Sequence, residues 1–332
     1  MANGLVVALI IVVALAFDYT NGFHDAANAI ATSVSTRALK PRTAVLLSAV
    51  LNLVGAFLTT SVANTIGKGI VKMEAVTLAL VGAALLGAIV WNLITWRLGL
   101  PSSSSHALIG GLIGAMLVAH GPAFVLTQGI VAKVVVPGLL SPLAGLVVGF
   151  LVMLALYWLF RAWAPARLNR TFRGAQVLSA AYVSFSHGTN DAQKTMGVIT
   201  LALVAGGFQD KFVVPIWVMV MSGLAIALGT YSGGWRIIRT VGQRIYRLQP
   251  ISGFAAQVST ATVLLVASLK GLPVSTTHVA ASTVMGVGST RRVSAVRWGV
   301  AGNILIAWVL TIPCAAAMAA LVYGLLYLAG AR

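Results

Sequence analysis

Apolar residues run in long blocks from one end of this chain to the other. The blocks fall at roughly 3–20, 43–61, 75–96, 123–140 and 143–160, then at 175–189, 212–231, 251–268, 298–312 and 314–329. Each approaches the ~20 residues a helix needs to cross a bilayer. Four shorter pieces, 25–36, 102–118, 191–206 and 274–288, each follow a break containing Gly or Pro. The pattern predicts an all-α polytopic membrane protein with about 10–12 membrane segments, some of them discontinuous or re-entrant.

Composition sharpens this picture. Hydrophobic residues make up 59% of the 332 and charged residues only 8%, against ~25% charged in a soluble domain. A soluble globular enzyme is excluded on that ground. The 34 glycines suit close helix packing and broken helices in lipid. The net charge of +17 is carried largely in four groups between apolar runs: Arg37, Lys40 and Arg42; Arg161, Arg167, Arg170 and Arg173; Arg236, Arg239, Arg244 and Arg247; and Arg291, Arg292 and Arg297. Such groups read as loops at anionic headgroups on the cytoplasmic side, not as a nucleic-acid surface. The single cysteine, Cys314, allows no intrachain disulfide. No basic residue precedes the Ala14-x-Ala16 pattern, so residues 3–20 read as a retained first helix rather than a cleaved signal.

The chain also repeats itself. "GFHDAANA" (Gly22–Ala29) is answered by "GTNDAQKT" (Gly188–Thr195), and "LGLPSSSSHA" (Leu98–Ala107) by "KGLPVSTTHV" (Lys270–Val279). The first pairing matches Asp25 with Asp191, His24 with Asn190 and Asn28 with Lys194. The second matches Pro101 with Pro273 and His106 with His278. The offsets, 166 and 172 residues, divide the chain into repeats 1–165 and 166–332 within one transmembrane domain. Five crossings per repeat, an odd number, make the two inverted, with 102–118 and 274–288 re-entrant. This arrangement puts the basic groups 37–42, 161–173 and 236–247 on the cytoplasmic side and leaves Arg291, Arg292 and Arg297 on the opposite one.

Polar chemistry gathers in the repeated motifs. Asp18, Asp25 and Asp191 are three of only five acidic residues, and His24, His106, His187 and His278 four of five histidines. Isolated polar groups in membrane helices usually hydrogen-bond a neighbouring helix. Paired motifs point instead to a polar path, because a charge at mid-membrane costs ~2.5–3.5 kcal/mol on insertion scales. "LPSSSSHA" and "LPVSTTHV" read as helix starts, whose free amides and hydroxyls suit an oxyanion. Discontinuous helix ends meeting near the midplane are a common transporter site. Asp25, Asn28, Ser103, Ser104, Ser105, Asn190, Asp191, Ser275, Thr276 and Thr277 are therefore the candidate substrate ligands. Asp18, Asn21, His24, Asp25, Asp191 and Lys194 are the candidates for a coupling ion or proton, since carboxylate and amide oxygens suit hard cations. Lys194, three residues after Asp191, is expected either to stand in for a cation or to snorkel toward the headgroups.

These residues resemble a known family. "NGFHDAANAIATSV" and "SFSHGTNDAQKTMG", with the paired "LPSSSSH" and "LPVSTTH", look like the inorganic phosphate transporter family, over essentially the whole chain. The resemblance implies a multi-pass carrier in the cell membrane, with inverted repeats and phosphate at the repeat interface. It implies a symporter with no cofactor, coupled to protons or sodium. Bacterial proton-coupled members carry phosphate as a neutral divalent-metal complex. Sodium-coupled members have Asn-Asp where His24-Asp25 stands here and Asn in place of Lys194, which favours protons for this chain. Sulfate transport, a sodium-coupled symporter and an anion channel stay open as alternatives, and a homo-oligomer is compatible with all of them. A metalloenzyme lacks the expected spacing of histidines, and no Walker motif is present.

Overall fold

The computed structural model describes residues 2–330. Among them the only extended pairing is an isolated antiparallel bridge, Val71 to Val125; the rest is helices and short turns. In hydrocarbon every backbone polar group must find its partner within the protein, and a helix does this within one segment. The helices are α1 (Ala2–Ser35), α2 (Pro41–Gly55), α3 (Ser61–Lys68), α4 (Leu78–Leu98), α5 (Ser104–His120) and α6 (Thr127–Leu159). They continue as α7 (Pro165–Ala205), α8 (Ile216–Ser232), α9 (Trp235–Arg244), α10 (Pro250–Leu269), α11 (Thr276–Ser289) and α12 (Trp298–Leu328). Five of these are long and apolar enough to span a bilayer: α1 (from Asn3), α4, α6, α10 and α12. The pair α8 and α9, bent by 62° at its break, makes a sixth.

The helices are more continuous than the apolar blocks. Blocks 123–140 and 143–160 form the single helix α6, with Pro142 inside it, and 298–312 and 314–329 form α12, with Pro313 inside it. Proline is tolerated in membrane helices where neighbours and local π-type turns satisfy the freed backbone groups, and such a turn, Val131–Val135, precedes Pro142. The expected breaks at Gly22 and Gly188 are absent too, since α1 and α7 run straight through them. These glycines make room for another helix. A Cβ at Gly22 would lie 2.4 Å from the carbonyl oxygen of Ile226 on α8, and one at Gly188 only 2.1 Å from that of Asn52 on α2.

Those close approaches define the architecture. Helix α1 packs on α8 and α7 on α2; α5 packs on α12 and α11 on α6. In each case a helix from the first half of the chain is paired with one from the second. Within each half a hairpin forms, α4 with α5 and α10 with α11. The two halves interlock and share one interior.

The fourth basic group does not lie opposite the others. The amide of Arg297 donates to the carbonyl of Ile245 at 3.0 Å, which sets 291–297 beside the 236–247 group. Phe172 stacks edge-on with Phe160 and with Phe254, bringing the 161–173 group to the same end. Thr36 donates to Gln176 at 2.5 Å, adding the 37–42 group. The physical reason is the α10–α11 hairpin: α11 returns toward the end where α10 starts, so α12 begins there. All four groups then obey one positive-inside rule.

Candidate functional site

Two helix starts meet in the interior. Proline at 101 and 273 keeps the chain extended before α5 and α11. The Ser103 and Ser275 hydroxyls then accept the amides of His106 and His278, at 3.1 and 3.2 Å, as N-caps do. These two hydroxyls serve their own helices. The two starts touch, because Ser105 donates to the carbonyl oxygen of Val274 at 3.3 Å. Ser104, Thr276 and Thr277 are left to face the carboxylates, and Ser105 faces Lys194.

Asp25 on α1 joins both starts. Its Oδ2 accepts from Ser104 at 3.0 Å and from Thr276 at 3.1 Å, and its Oδ1 from Thr277 at 3.1 Å. The Nδ1 of His24 lies 2.7 Å from Oδ1. Asn28, one turn on, donates to Thr277 at 2.9 Å and Thr276 at 3.3 Å. Thr276 also lies 3.2 Å from Asp191. It has one hydroxyl hydrogen for two carboxylates. Ser104 likewise divides its hydrogen between Asp25 and the Oδ1 of Asn21, 2.5 Å away.

Asp191 on α7 holds a buried cation. The Lys194 ammonium donates to Asp191, to Ser105 and, at 3.3 Å, to the carbonyl of Val274. Its three protons therefore have three partners. Lys194 is 0% exposed, so it does not snorkel. The motif pairing of Asn28 with Lys194 has a geometric counterpart: Asn28 reaches the start of α11 and Lys194 that of α5. His24 and Asn190 act at the hairpins. His24 Nε2 lies 3.2 Å from Thr95 and 3.3 Å from Ser102, while Asn190 donates to Ser268 and to the carbonyl of Leu272. Asn190 thus anchors a loop and makes no hydrogen bond to the carboxylates.

Asp18 differs from the other two carboxylates. It is fully buried, and neither oxygen has a hydrogen-bond partner. Asn21 and Thr195 approach it, and the Asn21 amide nitrogen and Thr195 hydroxyl are also unpartnered. All fourteen candidate residues are 5% exposed or less, so the cluster is shut off from both faces of the protein.

The candidate ligands leave out one participant that stands in the quoted motifs. His187 lies 3.0 Å from Asp191 through Nε2 and 3.0 Å from Asn52 through Nδ1. Asn52 donates onward to Thr230 at 2.8 Å. A lone Asn in the apolar run of α2 was the available signal. Asp25, His187 and Asp191 each offer a ligand atom within 4.8 Å of the others. Two carboxylates and an imidazole suit a divalent cation.

The description "Phosphate transporter family" matches residues 21–319. A probable low-affinity inorganic phosphate transporter of Mycobacterium tuberculosis is 50% identical over 97% of this chain and 78% of its own length. Proteins of the same description from Rhizobium meliloti and Bacillus subtilis are 49% and 46% identical, each over 96% or more of both chains. A solved structure titled "The sodium-dependent phosphate transporter" superposes with a TM-score of 0.90 at 29% identity, covering 98% of this chain and 99% of its own. These relatives are named as transporters, not enzymes, and the apolar helices are those of a multi-pass membrane protein. This chain belongs to the phosphate transporter family.

Proposed function

We propose that this protein imports inorganic phosphate by proton-coupled symport, with alternating access about the point where α5 and α11 meet. The observation that carries the reading is the Asp25 bridge between the two helix starts. An arriving oxyanion competes with a carboxylate for the same hydroxyls of Ser104, Thr276 and Thr277. Displacing those contacts frees the two starts to separate. The inverted-repeat reading of 1–165 and 166–332 supports such a motion, because the helices pair crosswise between the halves.

Charge then demands coupling. Asp18, Asp25 and Asp191 outnumber Lys194, so the cluster is net negative before an anion enters. Phosphate binds well only when added positive charge offsets the repulsion, which is a coupling free energy. Lys194 supplies one fixed cation. Asp18 has no counter-ion, and an unpaired carboxylate in a water-free interior costs several kcal/mol unless it neutralises. A proton on Asp18 meets that need. A divalent metal between Asp25, His187 and Asp191 would meet it as a metal–phosphate cargo. Sodium is the second reading, favoured by the oxygen-rich surroundings of Asp18 and by the solved neighbour described as sodium-dependent.

Two tests follow. Asp18→Asn is expected to leave phosphate binding in detergent intact while uptake stops responding to an imposed proton gradient; a full response in the variant removes Asp18 from coupling. Alanine at Ser104, Ser105, Thr276 or Thr277 is expected to raise the half-saturating phosphate concentration more than it lowers the maximum rate. Each hydrogen bond to a charged ligand is worth ~1.5–3 kcal/mol. Unchanged affinity in the fourfold variant would place the substrate elsewhere.

A further inference from the structure

Between α6 and α12 lies a crevice of about 490 Å³, within the ~300–1,000 Å³ range of small-molecule sites. Leu139 and Leu143 of α6 and Leu305 and Val309 of α12 form its walls. They are 69%, 57%, 49% and 75% exposed, so in a membrane the crevice opens onto acyl chains rather than water. His106 and His278, the matched histidines of the two Pro-Ser/Thr motifs, line it together.

This pair is unusual for an apolar crevice. The two rings meet edge-on at 4.9 Å, and Trp308 stacks on His278 at 3.9 Å. Both residues are more than nine-tenths buried, and the Nε2 atom of each has no hydrogen-bond partner. A buried polar atom left unpaired costs ~1–3 kcal/mol. The lining carries no carboxylate to charge the rings. Two neutral imidazoles side by side ask for a partner that can both donate and accept.

We propose that this crevice binds a single-chain amphiphile with a carboxyl head, a long-chain fatty acid drawn from the bilayer. A carboxyl group offers one O–H and one carbonyl oxygen and can enter hydrocarbon uncharged. A phosphodiester headgroup cannot shed its charge, and the walls offer it no counter-ion. The acyl chain follows the leucine-lined walls toward the lipid.

The occupant would touch the supports of the central site. The backbone amides of His106 and His278 are those held by the caps Ser103 and Ser275. The Trp308 indole donates to the carbonyl of Pro101 at 3.1 Å, in the loop leading to α5. A fatty acid wedged there hinders relative motion of the two helix starts and slows transport. The effect on transport rests on the carrier reading above; binding does not.

The test uses the full chain in phosphatidylcholine vesicles, titrated with a photoreactive palmitate analogue, with peptide mapping of the label. Saturable labelling on α6 and α12 is expected. Palmitate should compete at least about tenfold better than methyl palmitate or hexadecanol. The double variant His106→Phe, His278→Phe should weaken half-saturation about tenfold, and Leu143→Trp, a change at the lipid-facing mouth, should reduce labelling independently. Loss of phosphate uptake on adding palmitate to the parent protein, with Leu143→Trp spared, would tie occupancy to transport. Labelling that does not saturate, equal competition by the methyl ester, or labelling unchanged in Leu143→Trp would overturn the proposal. The ester result would mean that the crevice merely holds a phospholipid chain. If the double histidine variant does not fold, head-group competition and Leu143→Trp decide the matter.

Discussion

Asp25→Asn is expected to reduce phosphate uptake by about 100-fold or more while the protein still inserts and purifies as a single species. The expectation follows from what the carboxylate does. It accepts from Ser104 of α5 and from Thr276 and Thr277 of α11, and hydrogen bonds to an ionised acceptor are the strong ones. Asparagine keeps the shape but has one acceptor oxygen, and its NH₂ faces hydroxyls that were donating. The bridge that ties oxyanion arrival to separation of the two starts is worth one to two charge-assisted bonds, ~1.5–3 kcal/mol each, and without it that coupling is lost, which corresponds to a factor of this size. Folding is spared because the amide is neutral and needs no counter-ion. Uptake by radiolabelled phosphate, with gel filtration in parallel, separates the two effects; near-normal transport would remove Asp25 from the site.

Asp191→Asn is expected to behave differently, losing stability as well as transport. It leaves the Lys194 ammonium in the protein interior with only Ser105 and a carbonyl as partners. Breaking one side of a buried pair costs ~3–5 kcal/mol, a large share of a protein's marginal stability. Thermal unfolding in detergent should shift down markedly. The double change Asp191→Asn, Lys194→Met removes both charges and should recover most of the loss, yet stay inactive in uptake. A single variant as stable as the parent would mean that Lys194 is not held as a buried cation. Lys194→Asn alone strips the fixed cation from the site. It should cripple proton-driven uptake.

The paired motifs made the centre of this protein legible from sequence. Carboxylates are so rare here that Asp25 and Asp191 stand out, and a Pro followed by Ser or Thr marks a helix start by simple capping chemistry. Asp25, Asn28 and Lys194 do converge on Ser104, Ser105, Thr276 and Thr277. The sequence misled where the meaning of a residue depends on a distant partner. Gly22 and Gly188 look like breaks, but each is an opening through which a helix of the other half passes. Pro142 and Pro313 look like boundaries and lie inside helices, because an apolar surround offers the backbone no alternative to helical hydrogen bonds. Ser103 and Ser275, candidate ligands, also cap their own helices. The position of Arg291, Arg292 and Arg297 could not be had from counting crossings, since it depends on the return of α11. His187 gave no signal beyond being a histidine near Asp191, and the isolation of Asp18 is visible only when its neighbours are in place.

In the proposed cycle protons drive inward phosphate movement, with Lys194 in the place of a fixed cation and Asp18 as the group without one. Phosphate uptake into proteoliposomes of the purified chain, with proton and sodium gradients imposed separately, tests it most directly. Accumulation is expected under an inward proton gradient, with collapse on adding a protonophore and no change when sodium is replaced by choline. Uptake that requires sodium and ignores the proton gradient would contradict it.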